Sequence, residues 1–163
     1  MNRSLLITTD PIDEATLIAG RRLSAGMGAV VAFSGVVRGR EGDGPIAALD
    51  YTCFVPMAEH QFHRLFDRLA GRGTIESVRL VHRIGRVAVG EASLWVEVVS
   101  AHRAEAFEAC QWLIDEMKRV VPIWKQAVPV IPTDPTASAG SVPASPPSDL
   151  PDRSAPSDPH PPA

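Results

Sequence analysis

The chain has 163 residues, of which 45% are hydrophobic, enough for one domain with a core and some additional sequence. A formal net charge of -3 gives no overall basic field, so nucleic acid is not an expected partner. The apolar run at the N-terminus is too short for a signal peptide, and no stretch approaches the roughly 18 apolar residues of a membrane span. Cys53 and Cys110 are too few for a disulfide framework and lack metal-ligand spacing. A cytoplasmic protein without a metal is therefore expected.

The hydrophobic pattern predicts interspersed strands and helices. In chain order these are an edge strand over residues 4–8, a helix over 12–22, a buried strand over 28–37, a strand over 46–52, a helix over 56–69, strands over 77–84 and 91–99, a helix over 103–121 and a short strand over 123–128. This mixed order is typical of an α+β fold.

The helix over 103–121 has the clearest periodicity. Its apolar residues recur at alternating intervals of three and four, at Phe107, Cys110, Ile114, Met117 and Val121. Pro122 ends it, because proline cannot donate the hydrogen bond that continues a helix.

The composition changes near residue 129. Residues 129–163 hold 11 of the 15 prolines, and most of the others are Ser, Ala, Asp, Thr and Gly. Such a segment buries too little apolar surface to offset the entropy cost of ordering it. We therefore predict a folded domain over 1–128 and a disordered tail over 129–163. The P-x-x-P of Pro143 and Pro146 leaves a docking peptide as the alternative.

The use of lysine is unusual. Of the 16 basic residues, 14 are arginine, and the two lysines are Lys118 and Lys125, seven apart on either side of Pro122. Lysine differs from arginine because its environment can lower its pKa enough for it to act as a nucleophile or proton shuttle. An ordinary interpretation stays open, because a cation also suits the last turn of a helix.

The segment 100–103, Ser-Ala-His-Arg, lies where a strand leads into the long helix. The backbone N–H groups and positive dipole at a helix N-terminus favour an anion, and His102 and Arg103 add positive charge there. The arrangement predicts a phosphate site. Alternatively, Ser100 caps the helix and Arg103 points to solvent.

The segment 35–40 places Arg38 and Arg40 in a glycine loop at the end of a strand. Arginine can bind phosphate through two parallel hydrogen bonds, and glycine lets the backbone approach an anion. The spacing matches no established phosphate loop. A solvated hairpin whose arginines are neutralised by Glu41 and Asp43 is the alternative.

The other histidines carry less information. His82 lies on an alternating strand and is interpreted as structural. His60 and His63 lie on a helix without a third ligand at useful spacing, so no metal site is predicted.

Several blocks in order resemble the catalytic subunit of molybdopterin synthase, the MoaE family. They are Gly28 to Arg38, Leu49-Asp50-Tyr51, Pro56-Met57-Ala58, Val81 to Gly85, Gly90-Glu91, Val99 to Phe107, Met117-Lys118 and Pro122 to Lys125. The resemblance covers roughly residues 3 to 127, and the blocks from Val99 onward are specific to the family.

The resemblance implies an α/β hammerhead fold with an additional antiparallel sheet. It implies a sulfurtransferase that converts cyclic pyranopterin monophosphate to the dithiolene molybdopterin, without a bound cofactor. The sulfur would arrive as a thiocarboxylate on the C-terminal Gly-Gly of a small ubiquitin-like subunit. Two copies of this chain would form a central dimer, with one small subunit at each end of a heterotetramer.

The resemblance also implies roles for individual residues. Lys118 and Lys125 match the two catalytic lysines, Lys118 beside the acyl sulfur and Lys125 assisting proton transfer and substrate binding. Arg38, His102 and Arg103 match positions that bind the substrate phosphate and pterin, the last two serving the site of the dimer mate. Phe33 and Met117 are expected to line the pocket.

Two departures from the family pattern bear on activity. Gln126 and Ala127 stand where a basic residue and a glutamate are common. The proline-rich tail also replaces an ordered C-terminal segment. A homologue that docks the ubiquitin-like subunit without catalysis is therefore the alternative function. A phosphate sensor is a third reading, but neither rival needs the two lysines.

Overall fold

The computed structural model describes residues 1–42, 44–72 and 74–130, and within them it has eight strands and three helices. The strands are β1 (Asn2–Thr8), β2 (Ala29–Val36), β3 (Arg40–Glu41), β4 (Gly44–Cys53), β5 (Ile75–Arg83), β6 (Gly85–Ala88), β7 (Ala92–Ser100) and β8 (Ile123–Pro129). The helices are α1 (Glu14–Ala19), α2 (Val55–Ala70) and α3 (Arg103–Val120). The α+β class predicted from the sequence is confirmed.

The first sheet has the strand order β1-β5-β7-β2. β1 runs parallel to β5, and the other two pairs are antiparallel. The helices α2 and α3 pack against one face, because their apolar stripes meet the alternating apolar residues of β5 and β7. The largest fully buried members of this core include Phe62, Phe66, Leu65 and Leu113.

The opposite face of β7 is also buried, and it contains a charged group. Glu97 is 1% exposed, and its carboxylate lies 2.6 Å from Arg21 and 3.2 Å from Arg79. The Arg79 guanidinium also stacks over Trp95, 5.1 Å from the ring centre. Paired charges of this kind compensate for the desolvation of a buried carboxylate.

The second sheet has β4 at its centre, with β6 on one side and β8 on the other, all antiparallel. β3 pairs with the start of β4 as a hairpin. A small core of Val37, Ile46, Leu49 and Val87 lies under this sheet. Gly85 has φ +77°, a left-handed conformation that lets the chain leave β5 and turn directly into β6. This sheet is the additional antiparallel sheet that the resemblance implies.

Several predicted boundaries differ from those observed. The first helix is only Glu14–Ala19, because Asp13 caps its N-terminus through a hydrogen bond from the Thr16 N–H and Gly20 ends it. The strand predicted as buried is β2, an edge strand of the first sheet with exposed and half-buried residues. That part of the prediction is wrong for the single chain, since a run of Val and Ala does not show whether a strand lies at an edge.

Phe107, predicted to lie on the apolar face of α3, is 63% exposed. The buried stripe of α3 is centred on Ala106, Cys110, Leu113 and Met117. Phe107 is one residue beyond Ala106 and so points about 100° away around the helix. The other four apolar residues of the predicted stripe are buried.

The last strand extends one residue beyond the predicted end of the domain at residue 128. β8 includes Pro129, which pairs with Ile46 of β4, although the sequence assigned it to the tail. Proline is acceptable at the end of a strand. The rest of the predicted tail from residue 131, with its P-x-x-P, lies outside the described residues. In the part that is described, no helix is long and apolar enough to cross a membrane.

Candidate active site

A cavity of about 600 Å³ opens where the C-terminal end of α3 meets β2, β4 and β8. We call it the basic cavity, because three cationic side chains and one carboxylate line it. Its lining residues are Phe33, Gly35, Val36, Val37, Arg38, Glu41, Leu49, Tyr51, His82, Ser93, Leu94, Met117, Lys118, Val121, Ile123 and Lys125.

The two lysines reach the basic cavity from consecutive elements. Lys118 lies in the last turn of α3, next to the buried Met117. Val121 closes that turn by donating its N–H to the Met117 carbonyl at 2.9 Å, and Pro122 prevents a further turn. The chain then enters β8, where Lys125 lines the cavity with Ile123, two residues before it. The end of the helix at Pro122 and the turn into β8 therefore bring both lysines to one cavity.

The electrostatic environments of the two lysines differ. Lys125 Nζ lies 2.6 Å from Glu41 Oε1 of β3, and 49% of its side chain is exposed. The hydrogen bond and charge of Lys125 lower the pKa of the Glu41 carboxyl, and the charge of Arg38 lowers it further. Lys118 has no ion pair within the described part of the chain. With three cations and one carboxylate, the cavity is suited to an anion.

One wall of the basic cavity is apolar and combines residues of β2, β7 and α3. Phe33 is 37% exposed, and Val36, Met117 and Leu94 complete this surface. An apolar wall in a cavity that is also lined by cations suits an aromatic ring that carries a phosphate. Phe33, Arg38, Met117, Lys118 and Lys125, all predicted from the sequence, are thus lining residues of one cavity.

The polar floor of the cavity was not identified from the sequence. It consists of Tyr51, Ser93 and His82, which come from three different strands. The Tyr51 hydroxyl donates to Ser93 Oγ at 3.1 Å, and Ser93 Oγ donates to the Gly35 carbonyl at 3.2 Å. His82, interpreted as structural from the sequence, is buried, but the sequence does not show that this end of β5 meets a cavity.

His102 and Arg103 do not line the cavity of their own chain. They lie at the N-terminal end of α3, about 22 to 24 Å from Lys118 along the helix axis at about 1.5 Å per residue. Both are exposed, and His102 makes no capping hydrogen bond with its side chain. Their service to a dimer mate stays a prediction. Ser100 is not the helix cap: it is fully buried and donates its hydroxyl to the His102 carbonyl at 2.5 Å.

A family model described as MoaE protein matches residues 7–120 of this chain. The chain belongs to the MoaE family. It is similar to the molybdopterin synthase catalytic subunit of Thermoplasma volcanium, at 38% identity over 128 residues that cover 78% of this chain and 93% of that protein. The chain spans about half the length of the longer relatives of that name from Arabidopsis thaliana and Homo sapiens, at 51% and 54%.

Solved structures show the same fold. The molybdopterin synthase structure from Staphylococcus aureus aligns with a TM-score of 0.68 and 31% identity, covering 76% of this chain and 89% of that one. A complex of subunits 1 and 2 of the molybdopterin-converting factor from Helicobacter pylori aligns with a TM-score of 0.62 over 77% of this chain and 83% of that chain. At 22% identity, this alignment supports a shared fold and nothing further.

The MoaE match includes most of the candidate site. Phe33, Arg38, Met117 and Lys118 lie within it, and Lys125 lies beyond its last residue. The resemblance drawn from sequence blocks is therefore confirmed at the level of the family.

Neither cysteine belongs to the basic cavity, and both are free thiols. Burial raises the pKa of Cys110 to about 11 and also raises the pKa of Cys53, so both thiols are protonated at neutral pH. The described residues contain no group of three or more His, Cys, Asp or Glu side chains that could hold a metal ion.

Proposed function

We propose that this MoaE-family chain is the catalytic subunit of a molybdopterin synthase. It transfers sulfur from the thiocarboxylated C-terminus of a small ubiquitin-like subunit to cyclic pyranopterin monophosphate. The observation that carries the proposal is the convergence of Lys118 and Lys125, the chain's two lysines, on one cavity that also contains Arg38.

The charges of the basic cavity account for binding of the phosphate and the thiocarboxylate, which are both anions. Arg38 offers a planar set of N–H donors suited to phosphate oxygens. Glu41 holds Lys125 through an ion pair and also feels the charge of Arg38. This placement supports a role of Lys125 in substrate binding. Phe33 supplies the apolar surface against which a pterin ring can pack.

Lys118 has the position suited to the acyl sulfur. Its ammonium has no carboxylate partner in the described chain, so it is available to pair with an incoming anion. A cation beside the thiocarboxylate orients it and stabilises negative charge that develops on the acyl oxygen during transfer. No bound cofactor is assigned, because the partner's thiocarboxylate supplies the sulfur.

The proposal includes the partners and the compartment. Phe54, Met57 and Trp124 are large apolar side chains exposed on the surface of the chain, and such residues mark sites of protein association. The register pairs Trp124 with Thr52, which places it beside the start of α2. We assign this surface to contact with a protein partner. The functional assembly is the dimer of this chain with one small subunit at each end, a heterotetramer. Two free thiols suit the cytoplasm.

Reconstitution tests the proposal. The purified chain is mixed with thiocarboxylated small subunit and cyclic pyranopterin monophosphate, and molybdopterin is followed as its fluorescent oxidised derivative. We expect product with the wild type and a loss of at least about 100-fold with Lys118→Ala. Arg119→Ala is the matched control, since Arg119 is the next residue of α3, pairs with Glu116 and does not line the cavity.

Two results would contradict the proposal. Equal activity of Lys118→Ala and the wild type would remove Lys118 from the chemistry. Absence of product from the wild type, despite a stable complex with the small subunit, would favour the docking-only function and direct attention to Gln126 and Ala127.

A further inference from the structure

The floor of the basic cavity contains a buried histidine that the proposed chemistry does not use. His82 is 5% exposed and lines the cavity from the end of β5. The Tyr51 ring packs edge-on against its imidazole, with 5.6 Å between the ring centres and an interplanar angle of 73°. Because Tyr51 is itself fixed by its hydrogen bond to Ser93, the imidazole is held in one orientation.

The hydrogen bond of His82 determines which ring nitrogen carries the proton. Nδ1 lies 2.9 Å from the carbonyl oxygen of Arg83. A carbonyl oxygen can only accept, so Nδ1 donates, and in the neutral ring Nε2 then has a free lone pair. Burial lowers the pKa of His82 more than this hydrogen bond raises it, so the ring is neutral at pH 7.

Nε2 has no hydrogen-bond partner among the described residues. Nε2 is nevertheless not fully buried. The described side-chain atoms that are both fully buried and without a partner are Arg83 Nε, Trp95 Nε1 and Glu105 Oε2. A histidine that served only the core would have both nitrogens satisfied or sealed from solvent. Nε2 is therefore not sealed in the core, and the space that the His82 side chain lines is the basic cavity.

The basic cavity has many donors and few free acceptors. Arg38, Lys118 and Lys125 can only donate hydrogen bonds. The carboxylate of Glu41 is already bound to Lys125. A ligand with its own N–H or O–H groups therefore needs an acceptor at the floor, and the fixed imidazole of His82 provides one without adding a charge.

We propose that His82 Nε2 accepts a hydrogen bond from a ring N–H or O–H of the heterocyclic substrate at the floor of the basic cavity. This inference rests on the proposed function. It makes His82 a residue that positions the substrate ring and discriminates against rings without a donor at that point. Such discrimination is strong when an unmade hydrogen bond leaves a buried polar group unpaired.

The test combines kinetics with nitrogen NMR on the full chain. His82→Phe keeps an aromatic ring but removes the acceptor, whereas His82→Gln places a carbonyl oxygen near the position of Nε2. In the reconstituted reaction we expect His82→Phe to raise KM for cyclic pyranopterin monophosphate by roughly 10- to 100-fold, with kcat changed by less than about threefold. His82→Gln should restore KM to within about fivefold of the wild type.

The NMR measurement uses protein labelled with nitrogen-15 in histidine. The free protein should show His82 with a protonated Nδ1 and an unprotonated Nε2. The Nε2 resonance should shift on addition of cyclic pyranopterin monophosphate and remain in place with inorganic phosphate alone. A residue with a merely structural role would show neither this shift nor the separation of KM from kcat.

The outcomes separate this inference from the function on which it rests. A wild type that forms no molybdopterin contradicts the proposed function, and the NMR titration then still decides the role of His82. An Nε2 resonance that the pterin does not move overturns the inference, whether or not the enzyme is active. In an active enzyme, an unchanged KM in folded His82→Phe overturns it as well.

Discussion

Lys125 Nζ lies 2.6 Å from Glu41 Oε1 and links β8 to the β3 hairpin at the basic cavity. Lys118, which lines the same cavity, has no such partner in the described chain. The two lysines therefore differ in whether their ammonium groups are already paired. Lys125 is held in place with its charge partly compensated, whereas Lys118 can pair with an incoming anion.

Removal of the Glu41 charge should affect the reaction through the position of Lys125. We expect Glu41→Gln to lower the rate of molybdopterin formation by roughly three- to tenfold, less than Lys125→Ala, because the lysine remains but loses its fixed partner. The ion pair is substantially exposed, so the unfolding midpoint should stay close to that of the wild type. Steady-state kinetics and thermal unfolding measure the two effects.

Asp50→Asn is the matched control for Glu41→Gln. Asp50 also lies in the second sheet and pairs with a cation, Arg86, but it does not line the cavity. Its substitution should leave the rate unchanged. Equal rate losses in both variants would show that Glu41 acts through the sheet rather than through Lys125.

The buried carboxylate of Glu97 should be important for stability. Glu97→Ala would leave Arg21 and Arg79 without their shared partner beneath the sheet, and we expect a loss of about 3–5 kcal/mol in the free energy of unfolding. Glu108→Ala is the control, because that side chain is 78% exposed and its contact with Arg72 is a long one of 4.0 Å. It should change stability by less than about 0.5 kcal/mol. Equal effects in urea denaturation would contradict this account.

The lowered pKa of His82 should make stability depend on pH. Its pKa in the folded chain lies below the ordinary value of 6.5, because burial disfavours the charged ring. Between the two pKa values the unfolded chain binds the proton and the folded chain does not, so stability falls as pH decreases through this window. We expect the wild type to lose more stability than His82→Gln between about pH 7 and pH 5. Equal losses in urea denaturation would contradict the assignment.

Gly85 should be intolerant of a side chain for conformational reasons alone. A Cβ at this position would meet nothing within 4 Å, but φ is +77°, which disfavours other residues. We expect Gly85→Ala to destabilise the chain by about 1–2 kcal/mol. Gly26→Ala is the control, since that site is equally open and has no positive φ. Chemical denaturation of both variants checks the prediction, and a neutral Gly85→Ala would refute it.

The sequence predicted the long elements well because their signals are local. The long helix α3 and its end before Pro122 depend on neighbouring residues, and both are observed, although Phe107 of the predicted stripe is exposed. β3 and β6 were missed because two and four residues carry too little periodicity to identify a strand. The edge position of β2 was missed because it depends on the order of strands in the sheet, where β2 lies beside β7 at the end. The residues of β2 alone do not show that order.

The same distinction explains the candidate site. The two lysines stood out by their rarity, and Arg38 by its glycine loop, so these lining residues were found. The Lys125–Glu41 pair was not predicted, because the two residues are 84 positions apart in the sequence (125 minus 41). His82 could not be placed at a cavity, since its neighbours Tyr51 and Ser93 come from two other strands.

Substitution of each lysine by arginine tests the central claim most directly. Lys118→Arg and Lys125→Arg keep the positive charge and remove the primary amine, and a single turnover with thiocarboxylated small subunit and cyclic pyranopterin monophosphate measures molybdopterin formed per active site. We expect each variant to bind the small subunit as the wild type does and to lose at least about tenfold in rate, because arginine cannot reproduce the point charge and proton exchange of lysine. Full activity in both variants would contradict the assignment of lysine chemistry to the basic cavity.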